Sequence, residues 1–235
     1  MKRGIIVNDR DREIFKFLFE HRVLSLDLIW NTFFPGTTRQ NVGRRLLGLT
    51  KNGYIEKWYL NLEGKPYIVF SLRKKGFCEF VPNYRFNPSS MGSISDSPEH
   101  DLTLFKIRAR LSKLRMIQNF YTENMLQYCS DLKMQPELGA FSELNSDAAM
   151  ELNMKSRTYS VALEYEGSEK SQDRVKHKLL EYYLKSEVTA VFWVHKNDRV
   201  KRAIMTADDA LGTRYETKMF YASLDSVMGH GEEVI

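Results

Sequence analysis

Residues 37–53 read TTRQNVGRRLLGLTKNG, and this stretch decides how the first third of the chain is organised. Thr37 or Thr38 suits a helix N-cap, because a side-chain oxygen there accepts one of the unpaired amide hydrogens of the first turn. Asn52-Gly53 is a stop signal, since glycine adopts the left-handed conformation that ends helices without steric cost. Between them, Val42, Leu46, Leu47 and Leu49 recur at roughly helical spacing and predict one buried face over Arg39 to Lys51. The other face carries Arg39, Gln40, Asn41, Arg44, Arg45 and Lys51. Those side chains match base edges: arginine pairs with guanine through two hydrogen bonds, and Gln or Asn does the same with adenine.

The flanks extend this reading. Asn8 or Asp9 caps a first helix that ends near His21-Arg22 and buries Ile14, Phe15, Phe17, Leu18 and Phe19. Ser25 caps a short second helix, and Phe34-Pro35-Gly36 breaks the chain before the third. Downstream, Tyr54 to Leu60 and Pro66 to Leu72 read as strands around the turn Asn61-Leu62-Glu63-Gly64-Lys65. Three helices followed by a β-hairpin is the layout of a winged helix-turn-helix. The exit Leu72-Arg73-Lys74-Lys75-Gly76-Phe77 resembles that of many winged-helix regulators. In such a module the N-terminal end of the third helix meets base edges, so Arg39, Gln40 and Asn41 are the expected readers. Arg44 and Arg45 are expected at bases or flanking phosphates. Lys57, Lys65 and Tyr67 of the hairpin are expected along the backbone, while Trp58 and Tyr59 are expected to pack.

Charge supports the same conclusion. The 235 residues carry a net charge of +5, but residues 1–81 hold 15 Lys+Arg against 8 Asp+Glu, whereas the remainder is slightly acidic. A basic module attached to a near-neutral one is the footprint of a polyanion binder. Fourteen Phe, 12 Tyr and 3 Trp supply enough core material to exclude a mainly disordered chain. No stretch nears the ~20 apolar residues of a membrane span. Met1-Lys2-Arg3 is followed by only four uncharged residues before Asn8-Asp9-Arg10-Asp11, so no signal peptide is expected. Cys78 and Cys129 are too few for a disulfide framework, and are read as buried thiols of a cytoplasmic protein.

The chain is read as a winged helix-turn-helix over 1–81, a Pro/Ser/Gly-rich linker over 82–98, and an α/β domain over 99–235. In the last, Glu99 to Arg115 is predicted helical, opened by His100-Asp101, which reads as a cap with a packed histidine rather than a metal pair. Phe120 to Tyr128 is predicted as a strand and 130–146 as a loop. Ala148 to Met154 and Thr158 to Glu166 are predicted strands, and the second places Ala162, Glu164 and Glu166 on one face. A helix from Ser168 or Ser171 to Leu184, a buried strand Val188 to Val194, a shorter helix Ala207 to Arg214 and a strand Met219 to Leu224 complete it. The tail, residues 228–235, is read as flexible.

Strand, strand, helix, strand, with Asp147 before the first and Glu164 and Glu166 at the end of the second, resembles the PD-(D/E)XK restriction-endonuclease-like core. The overall class implied is α+β, a winged helix followed by an α/β restriction-endonuclease-like domain. In active members of that fold an Asp and a Glu bind Mg²⁺ and a Lys positions the attacking water. The resemblance carries these metal-ligand roles to Asp147 and Glu164. Glu166 stands where the family has its lysine, and Ser146-Asp147 replaces Pro-Asp. Lys178, Lys176 or, more weakly, Lys170 would have to substitute. That departure implies a domain kept for assembly rather than hydrolysis, with no cofactor; Mg²⁺ is implied only if the site is active.

Asp9-Arg10-Asp11-Arg12-Glu13-Ile14-Phe15-Lys16-Phe17-Leu18, His100-Asp101-Leu102, Glu164-Tyr165-Glu166 and Lys178-Leu179-Leu180-Glu181-Tyr182 together resemble the replication-relaxation family of plasmid and mobile-element proteins. The expected function is double-stranded DNA binding in regulation, replication or transfer, with a homodimer where the target is palindromic and no membrane partner. A Mg²⁺-dependent endonuclease and a protein-interaction adaptor are the alternatives.

Overall fold

A computed structural model describes residues 5–62, 64–81, 95–154, 157–212 and 218–229 of a mixed α/β protein. The chain divides into two compact units between Phe105 and Lys106.

The first unit opens with α1 (Asp9–His21), capped by Asn8, whose side chain accepts the Asp11 amide while the Asp11 carboxylate accepts the Asn8 amide. A two-residue strand β1 (Leu24–Ser25) leads into α2 (Leu26–Phe33), capped by Ser25 Oγ on the Leu28 amide at 3.1 Å. Thr38 caps α3 (Arg39–Lys51), which ends at Asn52-Gly53 with Gly53 at φ +77°. The hairpin β2 (Ile55–Leu62) and β3 (Lys65–Leu72) follows, and β1 pairs with β3, making an antiparallel sheet of order β1-β3-β2. Val42, Leu46 and Leu49 of α3 are fully buried, while Leu47, expected inside, is exposed.

Helix α4 (Lys74–Phe80) follows the hairpin directly where only a chain exit was expected. Gly76 permits it: a Cβ there would lie 2.6 Å from the Tyr54 carbonyl oxygen. Phe77 packs on Phe19 and Phe80 on Phe15 and Tyr54, so α4 seals the aromatic side of α1. Cys78, expected buried, is exposed on this helix, whereas Cys129 is buried. Most of the expected linker, residues 82–94, lies outside the described residues. Helix α5 (Pro98–Leu111) stops a turn short of the expected Arg115.

The second unit is a five-stranded sheet of order β4-β5-β6-β7-β8. Strands β4 (Ile117–Thr122), β5 (Ala148–Met154) and β6 (Arg157–Glu166) form an antiparallel meander. Helix α9 (Gln172–Leu184), capped by Ser171, then crosses to β7 (Ala190–His195), and α10 (Asp198–Gly212) crosses to β8 (Met219–Ser223), both parallel to β6. A short α11 (Leu224–Met228) ends the described chain, and the remaining tail residues 230–235 lie outside it.

The second unit departs from expectation at three places. The strand predicted over Phe120 to Tyr128 ends at Thr122, because the Thr122 side chain caps α6 (Glu123–Tyr128). The loop predicted over 130–146 contains α7 (Ser130–Lys133) and α8 (Pro136–Glu143). Leu138, Phe141 and Leu144 recur every third residue and all are buried. Helix α10 starts at Asp198, not Ala207, because Asn197 Oδ1 accepts the Arg199 and Val200 amides. Its stripe Val200, Ala203, Ile204, Ala207 and Leu211 then buries against the sheet together with Val175, Leu179 and Tyr182 of α9.

Candidate functional site

On α3 the sequence-selected side chains separate into two groups. Gln40, Asn41, Arg44 and Lys51 are exposed. Arg45 instead turns inward. Its Nε donates to Asp11 Oδ1 at 3.1 Å, its Nη2 donates to Asp11 Oδ2, and Nη2 also reaches the Ile6 carbonyl at 2.6 Å. Asp11 is 1% exposed, so Arg45 is the countercharge that lets the α1 capping box be buried. Arg39 lies between the two groups: it remains exposed but is held by Asp27, with Nε 2.5 Å from Oδ1 and Nη2 3.3 Å from Oδ2. On the hairpin, Lys65 is exposed and Lys57 Nζ sits 4.9 Å above the Tyr59 ring. Tyr59 is 70% exposed, which corrects its expected packing. Trp58 and Tyr67 pack against Val23, Val69 and Leu102.

In the second unit the acids gather where β5 starts and β6 ends. Asp147 precedes β5, and its Oδ2 accepts the Tyr165 amide at 2.7 Å, extending the pairing beyond the last ladder pair, Ala148 with Leu163. That bond brings Asp147 beside Glu164. The Glu164 carboxylate lies between the sheet and α9, where Tyr182 donates to Oε1 and Lys178 Nζ lies 3.3 Å from the same oxygen. The single Tyr182 proton is thereby used, so Ser146 Oγ, 2.7 Å away, donates to the Tyr182 oxygen. Ser146 and Tyr182 are fully buried and Glu164 is 7% exposed.

Burial and the neighbouring Asp147 charge push the Glu164 carboxyl up to about 8, against the opposing pull of Lys178. Tyr182 is held well above its ordinary range, first by burial and then by Glu164, so it stays a donor. Lys178 also bonds the carbonyls of Leu144 at 2.7 Å and Asn145 at 3.1 Å, capping the C-terminal end of α8. One lysine therefore ties α9, α8 and the acid pair together.

Glu166 is the last residue of β6, and its carboxylate turns to the loop that follows. It pairs with Lys170 at 3.5 Å and accepts the Ser168 amide, and burial raises its carboxyl against the Lys170 attraction. Lys176 is exposed on α9. His100 Nδ1 lies 3.8 Å from buried Asp101, which also faces Arg22 at 3.9 Å. Among the described residues no three His, Cys, Asp or Glu are grouped to hold a metal. Asp147 and Glu164 are nonetheless hard oxygen donors close enough to repel, and Mg²⁺ takes as few as one or two carboxylates with water.

Two groups escaped the sequence reading. The Ser146–Tyr182 relay was within reach of spacing, since Lys178 and Tyr182 are four apart and share a helix face. His195 and Trp193 are in register with Glu166 and Glu164 on the same sheet face. Both are buried, and His195 Nδ1 and Trp193 Nε1 lack hydrogen-bond partners among the described residues. Burial and then Lys201 lower the His195 pKa, against the smaller opposing effects of Asn197 and Asp198.

No helix of the described residues is long and apolar enough to cross a membrane. No protein-family model matches the chain, so none supports the resemblance to the replication-relaxation family, and no curated protein matches. Among solved structures the chain is similar to restriction endonuclease FokI, with a TM-score of 0.32 and 9% identity over 95% of this chain and 44% of that one. The structure of FokI bound to DNA gives 0.29 and 10%, over 92% and 43%. The chain thus spans less than half the length of the structures it matches.

Proposed function

We infer that the chain is a double-stranded DNA-binding protein, its first unit a winged helix-turn-helix that lays α3 in the major groove. What carries the reading is the division of α3: Val42, Leu46 and Leu49 anchor one face in the core, while Gln40, Asn41, Arg44 and Lys51 face solvent. On this reading Lys57 and Lys65 of the hairpin meet flanking phosphates, as wing residues do. The residues that resemble the replication-relaxation family point to a plasmid or mobile-element duplex, bound for regulation, replication or transfer.

Fluorescence anisotropy of the full chain on a labelled duplex tests this. The logarithm of affinity should fall linearly with the logarithm of salt, by about 0.9 per phosphate contacted. Arg44→Ala should reduce that slope by about 1. An affinity indifferent to salt rejects the reading.

A second reading, phosphodiester hydrolysis on a PD-(D/E)XK-like domain, is favoured by one observation: an acid pair in mutual repulsion beside the Lys178 ammonium. Asp147 and Glu164 would hold Mg²⁺, which when bound neutralises phosphoryl charge and lowers the pKa of a bound water. Tyr182 and Lys178 orient the Glu164 carboxylate, and the Tyr165 amide orients Asp147. Supercoiled plasmid incubated with the wild type and with Glu164→Ala, in EDTA, Mg²⁺ or Mn²⁺, separates the readings. Metal-dependent nicks lost in the variant establish hydrolysis. Retarded but intact plasmid, alike in both, leaves the second unit as an assembly domain.

A further inference from the structure

The contact between Arg39 and Asp27 is not explained by stability. Both side chains are about half exposed, at 48% and 46%. Exposed ion pairs contribute little to folding. Yet this one is held firmly at both ends. Arg39 is the first residue of α3, fixed by the Thr38 cap, and Asp27 lies in the first turn of α2, fixed by the Ser25 cap. Both partners therefore project from rigid helix starts, so the orientation of the guanidinium is set in advance. Arg44, exposed further along α3, has no such partner among the described residues.

The atoms used decide what remains available. A guanidinium presents five N–H bonds in a planar fork. Asp27 takes the side edge, Nε–H and one Nη2–H. The outer edge, with one hydrogen on Nη1 and one on Nη2, is left free of Asp27. That outer pair matches the O6 and N7 acceptors of guanine in the major groove.

We propose that Arg39 reads a single guanine with its outer edge, and that Asp27 is the positioning residue that aims it. This rests on the DNA-binding reading above and adds a specificity element to it. Asp27 touches no base. It removes the rotamer freedom that a long arginine would otherwise lose on binding. An unbuttressed arginine would spread its contacts over phosphates and neighbouring bases instead.

The test uses the full chain and a pool of duplexes with a randomised centre. Selection by the wild type is followed by anisotropy on the enriched duplex, with each guanine replaced in turn by 7-deazaguanine, which lacks the N7 acceptor. One replacement should weaken wild-type binding by roughly 5- to 150-fold. In Arg39→Ala that replacement should have no effect. Arg39→Lys should weaken the guanine preference and make it indifferent to Asp27→Ala, while keeping the salt slope, because it keeps the charge but lacks the planar fork that Asp27 orients. Asp27→Ala should reduce discrimination at that one position, leave preferences elsewhere unchanged, and bind unselected duplex at least as tightly as the wild type. Circular dichroism melts of all three variants should match the wild type, since both side chains are exposed.

A guanine preference that survives Arg39→Ala, or full discrimination in Asp27→Ala, overturns the assignment while salt-dependent binding stands. Failure to retain any duplex at low salt overturns the DNA-binding reading, and this inference with it.

Discussion

Arg44 and Arg45 are neighbours in sequence with opposite assignments. Arg45 neutralises buried Asp11, so Arg45→Ala leaves an uncompensated charge inside α1 and should cost about 3 kcal/mol or more in urea denaturation. Arg44→Ala should leave the melting temperature within about 1 °C, since exposed positions change stability little, and act on duplex binding alone. Glu164 gives a pH signature. Its folded pKa of about 8 exceeds its ordinary 4.5, so the folded state keeps a proton that the unfolded chain has released. The contribution of this group is therefore greatest below about 4.5, declines as pH rises through the window to about 8, and is flat above. Melting temperatures of wild type and Glu164→Gln across that window should show the variant gaining relative stability with pH. A constant difference would mean that the carboxyl is ionised throughout.

At the level of elements, close approach decides α4. A methyl group at Gly76 would meet the Tyr54 carbonyl at 2.6 Å, and backbone cannot swing away as a side chain can. Gly76→Ala should destabilise the first unit by about 1–3 kcal/mol, read as a lower denaturation midpoint with unchanged slope. In the second unit, Asp208 of α10 accepts Tyr183 of α9 and Tyr221 of β8, each at 2.6 Å. The two phenols share one carboxylate, so helix and edge strand are tied to the same point. Tyr183→Phe and Tyr221→Phe should each cost about 1–3 kcal/mol, and the double variant should depart from additivity because the pair has a common partner.

Across the whole molecule, the proposed function assigns duplex binding to the first unit and the Glu164 pH response to the second. Substitutions at Asp147, Glu164 or Lys178 should leave the salt slope of duplex binding unchanged, and Arg44→Ala should leave the pH response of Glu164 unchanged. Anisotropy and thermal melts on the same four proteins check both. A changed salt slope in Glu164→Gln would show that the second unit also contacts DNA.

The sequence alone determined the parts whose cause is local. The Ser25 cap and the Gly53 stop were fixed outright, and the other caps were narrowed to Asn8 or Asp9, Thr37 or Thr38 and Ser168 or Ser171, because caps satisfy hydrogen bonds within a few residues; the structure takes Asn8, Thr38 and Ser171. The alternation of β6 placed Glu164 and Glu166 on one face by strand geometry alone. Helix α8 and the first turns of α10 were not legible, because short helices are held by burial against a distant sheet rather than by their own propensity. The same distance hid which cations are occupied. Asp11 and Arg45 are thirty-four residues apart, and so are Lys178 and the Leu144 carbonyl. Only the folded chain decides which acid meets which base, because Coulomb attraction depends on separation in space and on exclusion of water.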